Sequence, residues 1–376
     1  MKPKLTRTPS ACILSPIFHN KSPKSTLLLN LQRSLSTSSS CCTSSPPSPL
    51  HPRTPLFLRP STHSTTFSDL RKWHLWAKCL AAAVGSTFVA SDNGPDSAQL
   101  HRELKWLLED ALERPSLYPQ LSTAGNDEER PIRVRASLDE LYVLWKQRIE
   151  ERRPFQYVVG CEHWRDMVLC VQEGVLIPRP ETELIVDLVG DVLGRNEGLR
   201  DGLWADLGTG SGAIAIGIGR ILGPRGKVIA TDLSPAAVAV SFFNVQRYGL
   251  QDIIDIRQGS WFEPLKDVEG KLAGLVSNPP YIPSDHIYGL QAEVGKHEPR
   301  LALDGGVNGM DDLLHLCRQA ASMLKPGGFF AFETNGEKQC MFLVDYMTKE
   351  SVGSFCNINM VPDFAGIKRF VTGFRI

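Results

Sequence analysis

The first 68 residues contain no aspartate or glutamate, and nowhere in the 376-residue chain is there an apolar run long enough to span a bilayer. The acid-free segment is basic instead, with Lys2, Lys4, Arg7, Lys21, Lys24, Arg33, Arg53 and Arg59, and it is dense in Ser, Thr and Pro ("RSLSTSSSCCTSSPPSPLHPRTP"). It also lacks the continuous apolar core of a secretory signal, which argues against export. Basic, Ser-rich and acid-poor composition is the signature of an organellar transit peptide; a disordered tail that stays attached is the plainer alternative. We therefore expect residues 1–70 to be a transit peptide or disordered extension. The Ser/Thr/Pro richness favours the chloroplast, although "RSLSTSSS" would also suit a mitochondrial cleavage region.

Two further absences narrow the function. None of the nine cysteines forms a CxxC pair, so they read as free thiols in a reducing compartment, and no metal site is expected. Net charge is also missing: 41 basic residues balance 41 acidic ones, so no global field draws the chain to nucleic acid or membrane. Residues 71–376 carry no basic cluster and a slight excess of acid, as expected for a protein that touches neither. No internal repeat is evident. The segment "AKCLAAAVGSTFVA" (77–90) is mildly apolar and too short to cross a membrane, so it reads as a buried or capping helix.

Past the tail, Leu100, Leu104, Leu107, Leu108 and Leu112 recur at three- and four-residue spacings, as do Leu138, Leu141, Leu144, Trp145 and Ile149. Each set makes one face of a helix, and Ser137 with Glu140 three residues on predicts a capping box. "STAGNDEERPIRVR" between them reads as a loop. Residues 71–153 are thus a small helical domain. Residues 154–182 alternate around Gly160 and Glu173-Gly174, which predicts a linking β-hairpin. From 183 to 376 strands and helices alternate, demanding a mainly parallel sheet covered on both faces, with two terminal strands at one edge.

In that sheet the first strand runs into "DLGTGSG", placing Asp206, Gly208, Thr209, Gly210, Ser211 and Gly212 at its carboxyl end. Glycines serve where backbone must approach a ligand or adopt positive φ, and this turn is the ligand crevice of a doubly wound sheet. The next strand ends on Asp232, 20 residues beyond Gly212, where a carboxylate can accept from both hydroxyls of a ribose. The second glycine gap is one residue shorter than the dinucleotide G-x-G-x-x-G, which argues against a nicotinamide oxidoreductase. The D-x-G-x-G-x-G spacing resembles the first motif of S-adenosylmethionine-dependent methyltransferases. The intact loop and acid also argue against a non-catalytic binding module.

The fourth strand ends in "NPPY", Asn278 to Tyr281. Proline cannot donate to a sheet ladder, so the strand stops here and the four residues face the same crevice. The motif resembles that of amino-group methyltransferases acting on DNA adenine, ribosomal RNA guanine or protein glutamine. Asn278 Oδ1 and the Pro279 carbonyl can each accept one N–H of a planar NH2 group, and Tyr281 can stack on it. Together with "FQYVVGCEHW" (155–164), "LIPRPETE" (176–183) and "EPRLALDGGVNGMD" (298–311), the chain from about residue 95 resembles the HemK/PrmC-type release-factor glutamine methyltransferases. The family's Glu and Gly-x-x-Gln after the fifth strand are matched by Glu333, Gly336 and Gln339.

The resemblance implies a seven-stranded, mainly parallel Rossmann-like sheet behind a helical domain that contacts the substrate protein. It implies S-adenosyl-L-methionine as cofactor, contacted by Asp206, the Gly208–Gly212 loop, Asp232, Trp261 and Asn278. Asn278, Pro279, Pro280 and Tyr281 would hold the glutamine of the GGQ motif of an organellar class-I peptide chain release factor. A monomer is expected, and the alternative substrate is DNA or RNA. Trp261 either covers the adenine or is a half-buried core residue. Arg179 and Glu181 either orient cofactor and substrate or merely start a helix, and Glu298, Arg300 and Asp304 are weaker candidates.

Overall fold

The computed structural model describes residues 52–122, 129–351 and 353–376, and Pro49–Ile376 form one compact unit. The transit-peptide reading of the N-terminus lies, as far as residue 51, outside the described residues. From residue 52 onward the chain is already part of the fold, so the boundary at 70 is too late. Arg53 N donates to Gln172 Oε1 (2.9 Å), Pro55 packs on Gly160, and Leu56 is fully buried. Arg247 lies over the Phe57 ring, and Arg59 pairs with Glu140 at 2.6 Å. We call Arg53–Arg59 the strap, because its contacts lie on both the helical part and the catalytic part.

Strand β1 (His63–Thr66) follows, then α1 (Phe67–Val84), α2 (Thr87–Asp92), α3 (Ser97–Ala111), strand β2 (Pro131–Val134), α4 (Leu138–Glu150) and the short α5 (Phe155–Val159). β2 pairs antiparallel with β1, so "PIRV" is a strand where the sequence reads as loop. Its partner lies about 70 residues upstream, in the segment assigned to the tail, so no local pattern could reveal the pairing. The apolar stripes behave as expected: Leu100, Leu104, Leu107, Leu108, Leu141 and Trp145 are buried with Trp73 and Leu56 in one core. The Trp145 indole also donates to Ala77 O at 3.0 Å. Ser137 caps α4 by accepting from Glu140 N (3.1 Å), but the Glu140 side chain goes to Arg59, so the box is only half closed. Replacing Ser137 with alanine is expected to cost about 1 kcal/mol in a urea titration, the usual worth of a cap.

The linking hairpin, β3 (Cys161–Trp164) and β4 (Met167–Cys170), is narrower than the pattern predicts. Gly160 ends α5 in the left-handed region (φ 79°), and the turn falls at Arg165 (φ 54°), with Asp166 following. That conformation is held from outside, since Arg165 N donates to Glu183 Oε1 and its guanidinium to Asp187.

The remaining elements are α6 (Glu183–Arg195), β5 (Leu203–Leu207), α7 (Ala213–Leu222), β6 (Lys227–Asp232), α8 (Pro235–Arg247), β7 (Ile254–Gln258), β8 (Leu272–Ser277), the one-turn α9 (Ala292–Gly295), α10 (Asp311–Met323), β9 (Leu324–Glu333), α11 (Glu337–Lys349), β10 (Phe355–Pro362) and β11 (Lys368–Arg375). The seven strands lie in the order β10-β11-β9-β8-β5-β6-β7. Pairing is parallel from β9 to β7 and antiparallel where β11 meets β9 and β10. This is the Rossmann-like α/β methyltransferase architecture expected. Every residue of central β8 is buried, which is why it reads as an unbroken apolar run rather than an alternating one. Gly274 within it has no room for a side chain, because a Cβ there would collide with the Trp204 indole of β5.

The helical part meets the catalytic part through buried charge. Arg148 of α4 binds Glu103 of α3 (Nε–Oε2, 2.6 Å) and Glu293 of α9 (Nη1–Oε1, 2.9 Å). Arg152 binds the same Glu293 (2.5 Å) and Asp92 (2.9 Å), and its guanidinium stacks 4.1 Å from the Phe88 ring centroid.

Candidate functional site

The chain reverses its winding at β5: β6 and β7 lie on one side, β8 and β9 on the other. The carboxyl ends of neighbouring β5 and β8 therefore frame the crevice in which open α/β sheets bind ligands. "DLGTGSG" leaves β5 and "NPPY" leaves β8, so topology brings the two motifs together over some 70 residues of sequence.

Gly208, Gly210 and Gly212 all have positive φ (71°, 56° and 82°), which explains three glycines in five residues. Gly208 N and Thr209 N both donate to Thr231 O at 2.9 Å, folding the loop back over β6. Asp206 lies behind this loop rather than on the cavity wall. It is fully buried, and its Oδ2 accepts from Thr209 Oγ1 (2.7 Å) and Ala215 N (3.1 Å), while Oδ1 has no partner. Burial raises its pKa to about 7. Asp232 ends β6 at the cavity, accepting from Gly210 N (2.8 Å) and Ser234 N (2.9 Å), one bond per oxygen. Burial raises its pKa also, so donors from a ligand would favour the ionised form.

The cavity is about 280 Å³ and is lined by Gly208–Ser211, Asp232, Trp261, Asn278 and Pro280, with Val175, Leu176, Ile214, Leu233 and Leu301 among its apolar walls. Trp261 is partly buried, with φ 45°, and a Cβ on Gly208 would touch its ring at 3.7 Å. Trp261 lines the cavity and at the same time packs against the core beside the buried Phe262, so both readings describe part of its position. Sequence reasoning missed Asp312, which hydrogen-bonds the Trp261 side chain, and Thr182; both line the cavity.

These residues fit S-adenosylmethionine. Each Asp232 oxygen keeps a lone-pair direction for a ribose hydroxyl. The Trp261 ring offers a flat apolar face, and Gly210 leaves open space where any other residue would place a Cβ. No cationic side chain lines the cavity, so a sulfonium meets no like charge there.

Asn278 Nδ2 donates to Thr182 Oγ1 (3.0 Å), which leaves Oδ1 as the acceptor on the cavity wall. Pro280 is on the wall as well, whereas Pro279 and Tyr281 are not. Tyr281 donates its hydroxyl to Glu333 Oε1 (3.1 Å), and burial keeps that phenol protonated. "LDGGVNGMD" packs behind the motif: Ile282 N donates to Leu303 O (3.0 Å), Gly305 N to Ile282 O (2.9 Å), and Gln339 Nε2 to Tyr281 O (2.9 Å) and Gly309 O (3.0 Å). Gly309 has φ 69°, and a Cβ there would collide with the Tyr281 carbonyl oxygen. The Gly309→Ala variant is expected to lose roughly 1–3 kcal/mol of stability from backbone strain. It should lose proportionally more turnover, because the displaced group is Tyr281. A wild-type rate in this variant would mean that the backing segment does not hold the motif.

Arg179 does not reach the wall; it pairs with Glu298 (2.5 Å), whose other oxygen accepts from Ile177 N (3.0 Å). Glu298 is therefore a buried anchor for the 176–180 segment, not a solvated surface charge. Glu181 is also off the wall. Arg300 and Asp304 pair with each other at 2.8 Å, and Asp304 also accepts from Ser284 Oγ, stitching the loop after "NPPY".

Comparison with known proteins agrees with this geometry. Residues 187–293 match the family model described as Methyltransferase small domain. A release factor glutamine methyltransferase of Synechocystis is 40% identical over 274 residues, covering 72% of this chain and 88% of that protein. Those of Gloeobacter violaceus (42% identical; 65% of this chain, 82% of that protein) and Thermosynechococcus vestitus (43%; 64% and 80%) are similar as well. With relatives at 40–43% identity matched over 80–88% of their length, and with the glycine loop, Asp232 and Asn278 around one cavity, this chain belongs to the release factor glutamine methyltransferase family.

Proposed function

We propose that the protein methylates the side-chain nitrogen of the glutamine in the GGQ motif of an organellar class-I peptide chain release factor, acting as a monomer in the chloroplast, with the mitochondrion as the alternative. The observation that carries the reading is the Asn278 carboxamide, whose Nδ2 is committed to Thr182 so that Oδ1 is left to accept.

An amide nitrogen is a poor nucleophile because its lone pair is delocalised into the carbonyl. Asn278 Oδ1 on the cavity wall accepts one of its N–H groups, which holds the nitrogen and increases its electron density. The prolines supply no N–H of their own, so the clamp presents acceptors without competing donors. S-adenosylmethionine, when bound, supplies a methyl group on a sulfonium, from which a neutral thioether leaves. Released protons need no dedicated base at the nitrogen, because the methylated amide sheds its proton once transfer is complete.

Organellar targeting rests on the acid-free, Ser-rich N-terminus. Purified protein would be incubated with labelled methyl donor and, separately, a recombinant organellar release factor and total RNA. Label is expected in the release factor, at the GGQ glutamine by mass spectrometry; label in RNA alone overturns the reading. A fusion of residues 1–70 to a fluorescent protein should enter chloroplasts, and a cytosolic signal overturns the localisation.

A further inference from the structure

Glu333, the last residue of β9, is 1% exposed, and its Oε2 has no hydrogen-bond partner. Its Oε1 accepts from Tyr281, a member of the "NPPY" motif. Thr182 stands at the N-cap of α6, yet its hydroxyl makes no cap bond and instead accepts from Asn278 Nδ2. An Oγ1 that accepts still has its own proton to donate. The Thr182 hydroxyl faces the Glu333 carboxyl, so one unsatisfied acceptor lies beside one unspent donor.

We propose that ionised Glu333 is a positioning residue that sets the direction of hydrogen bonding in the amide clamp, accepting from Tyr281 on Oε1 and from Thr182 on Oε2. With its proton committed to Glu333, Thr182 can only accept from Asn278. Asn278 must then turn its NH2 inward and its Oδ1 to the cavity, where a substrate NH2 needs an acceptor. Protonated Glu333 becomes a donor, and the Thr182 hydroxyl is released to donate to an amide turned the other way. The clamp then offers Nδ2–H to a substrate that is itself a donor.

Burial raises the Glu333 pKa to about 7, against the opposing pull of the Thr182 and Tyr281 hydroxyls and of Arg369, so both states are reachable near neutrality. The charged neighbours are Arg369 of β11, already paired with Asp363, and Glu181 ahead of α6. The sign follows from linkage. The native carboxyl holds its proton between the ordinary pKa of 4.5 and about 7, so its contribution to stability falls as pH rises through that window. Activity should rise over the upper part of the same window.

This inference rests on the amide-methylation reading, and its test is built to fail separately. The first readout needs no substrate: the side-chain amide resonance of Asn278, assigned by its loss in Asn278→Ala, is followed by NMR from about pH 5.5 to about 8.5. In the wild-type protein it should shift with a midpoint near that of Glu333, and in Glu333→Gln it should not titrate. Glutamine preserves shape and the acceptor for Tyr281, but it turns an NH2 toward Thr182. The second readout is kcat/KM on the release factor, expected to fall roughly 10- to 100-fold in Glu333→Gln, the size of one charge-assisted hydrogen bond, and to lose its rise with pH. Thr182→Val should show a similar fall without further loss in the double variant, and it serves if Glu333→Gln does not fold. The melting temperature of Glu333→Gln relative to wild type should be more favourable at about pH 8 than at about pH 5.5, because only the wild type ionises a buried carboxyl there, an effect that simple loss of packing would not produce. An Asn278 resonance that ignores pH in the wild-type protein overturns the proposal whatever the substrate. A titrating resonance with no methylation of the release factor would overturn the substrate assignment and leave the Glu333 device supported.

Discussion

Asn278→Ala is expected to reduce methyl transfer to the release factor by at least about 10²-fold, the loss seen when one positioned catalytic dipole is removed. Cofactor affinity should change by no more than about 1–2 kcal/mol, the worth of a single hydrogen bond. The split follows from the geometry. The loop Gly208–Ser211, Asp232 and Trp261 form their part of the cavity without Asn278, whereas in the proposed reaction the Asn278 Oδ1, which Thr182 leaves unused, is the acceptor for the substrate amide. Isothermal titration with the methyl donor and single-turnover transfer separate the two effects. Turnover within threefold of wild type would mean that the clamp does not activate the nitrogen. Asn278→Asp is a sharper variant: it retains an acceptor but places a second oxygen against Thr182, so it should retain part of the rate if Thr182 can rotate to donate.

Arg148→Met should cost about 3–5 kcal/mol of unfolding free energy, the usual penalty for leaving buried carboxylates without their partner. Arg148 is 2% exposed and neutralises Glu103 and Glu293 together. Burial works against its charge, yet the two carboxylates outweigh it and leave the guanidinium pKa above its ordinary value. Methionine fills the aliphatic part and none of the charge. Arg152 still holds Glu293, so the stranded group is chiefly Glu103, and the double variant Arg148→Met/Glu103→Leu should recover much of the loss. Urea denaturation with fluorescence of the buried tryptophans measures both. A loss below about 1 kcal/mol would show that the network is solvated in solution, as surface pairs are.

Local sequence carried the catalytic sheet well, because its signals are short-range: glycines at fixed spacing, an acid at the next strand end, prolines that stop a strand. Asp232, Trp261 and Asn278, singled out from sequence, all line the cavity. What sequence could not supply was the second layer. Thr182 and Asn278 are 96 residues apart, Tyr281 and Glu333 are 52 apart, and each of these bonds exists only because the sheet brings two loops together. Arg179, left open in sequence between an orienting role and a helix start, and Glu298, a weaker candidate, pair with each other across 119 residues of sequence. Asp206, part of the glycine motif by position, organises the loop from behind. The turn at Arg165 escaped notice for a related reason: a left-handed arginine held by Glu183 has no glycine to announce it.

The strap bears on how the protein would mature. Residues 53–59 share the acid-free composition of the N-terminus, yet Pro55 and Leu56 among them are buried in the fold. A protease trimming an imported precursor at residue 70, where composition alone would cut, would take away Leu56, the β1 edge that pairs with β2, and the Arg59 partner of Glu140. The helical core would lose its lid, and the hairpin its neighbour at Gly160. If the N-terminus is a leader, as proposed, a processed enzyme that keeps these contacts starts before Arg53.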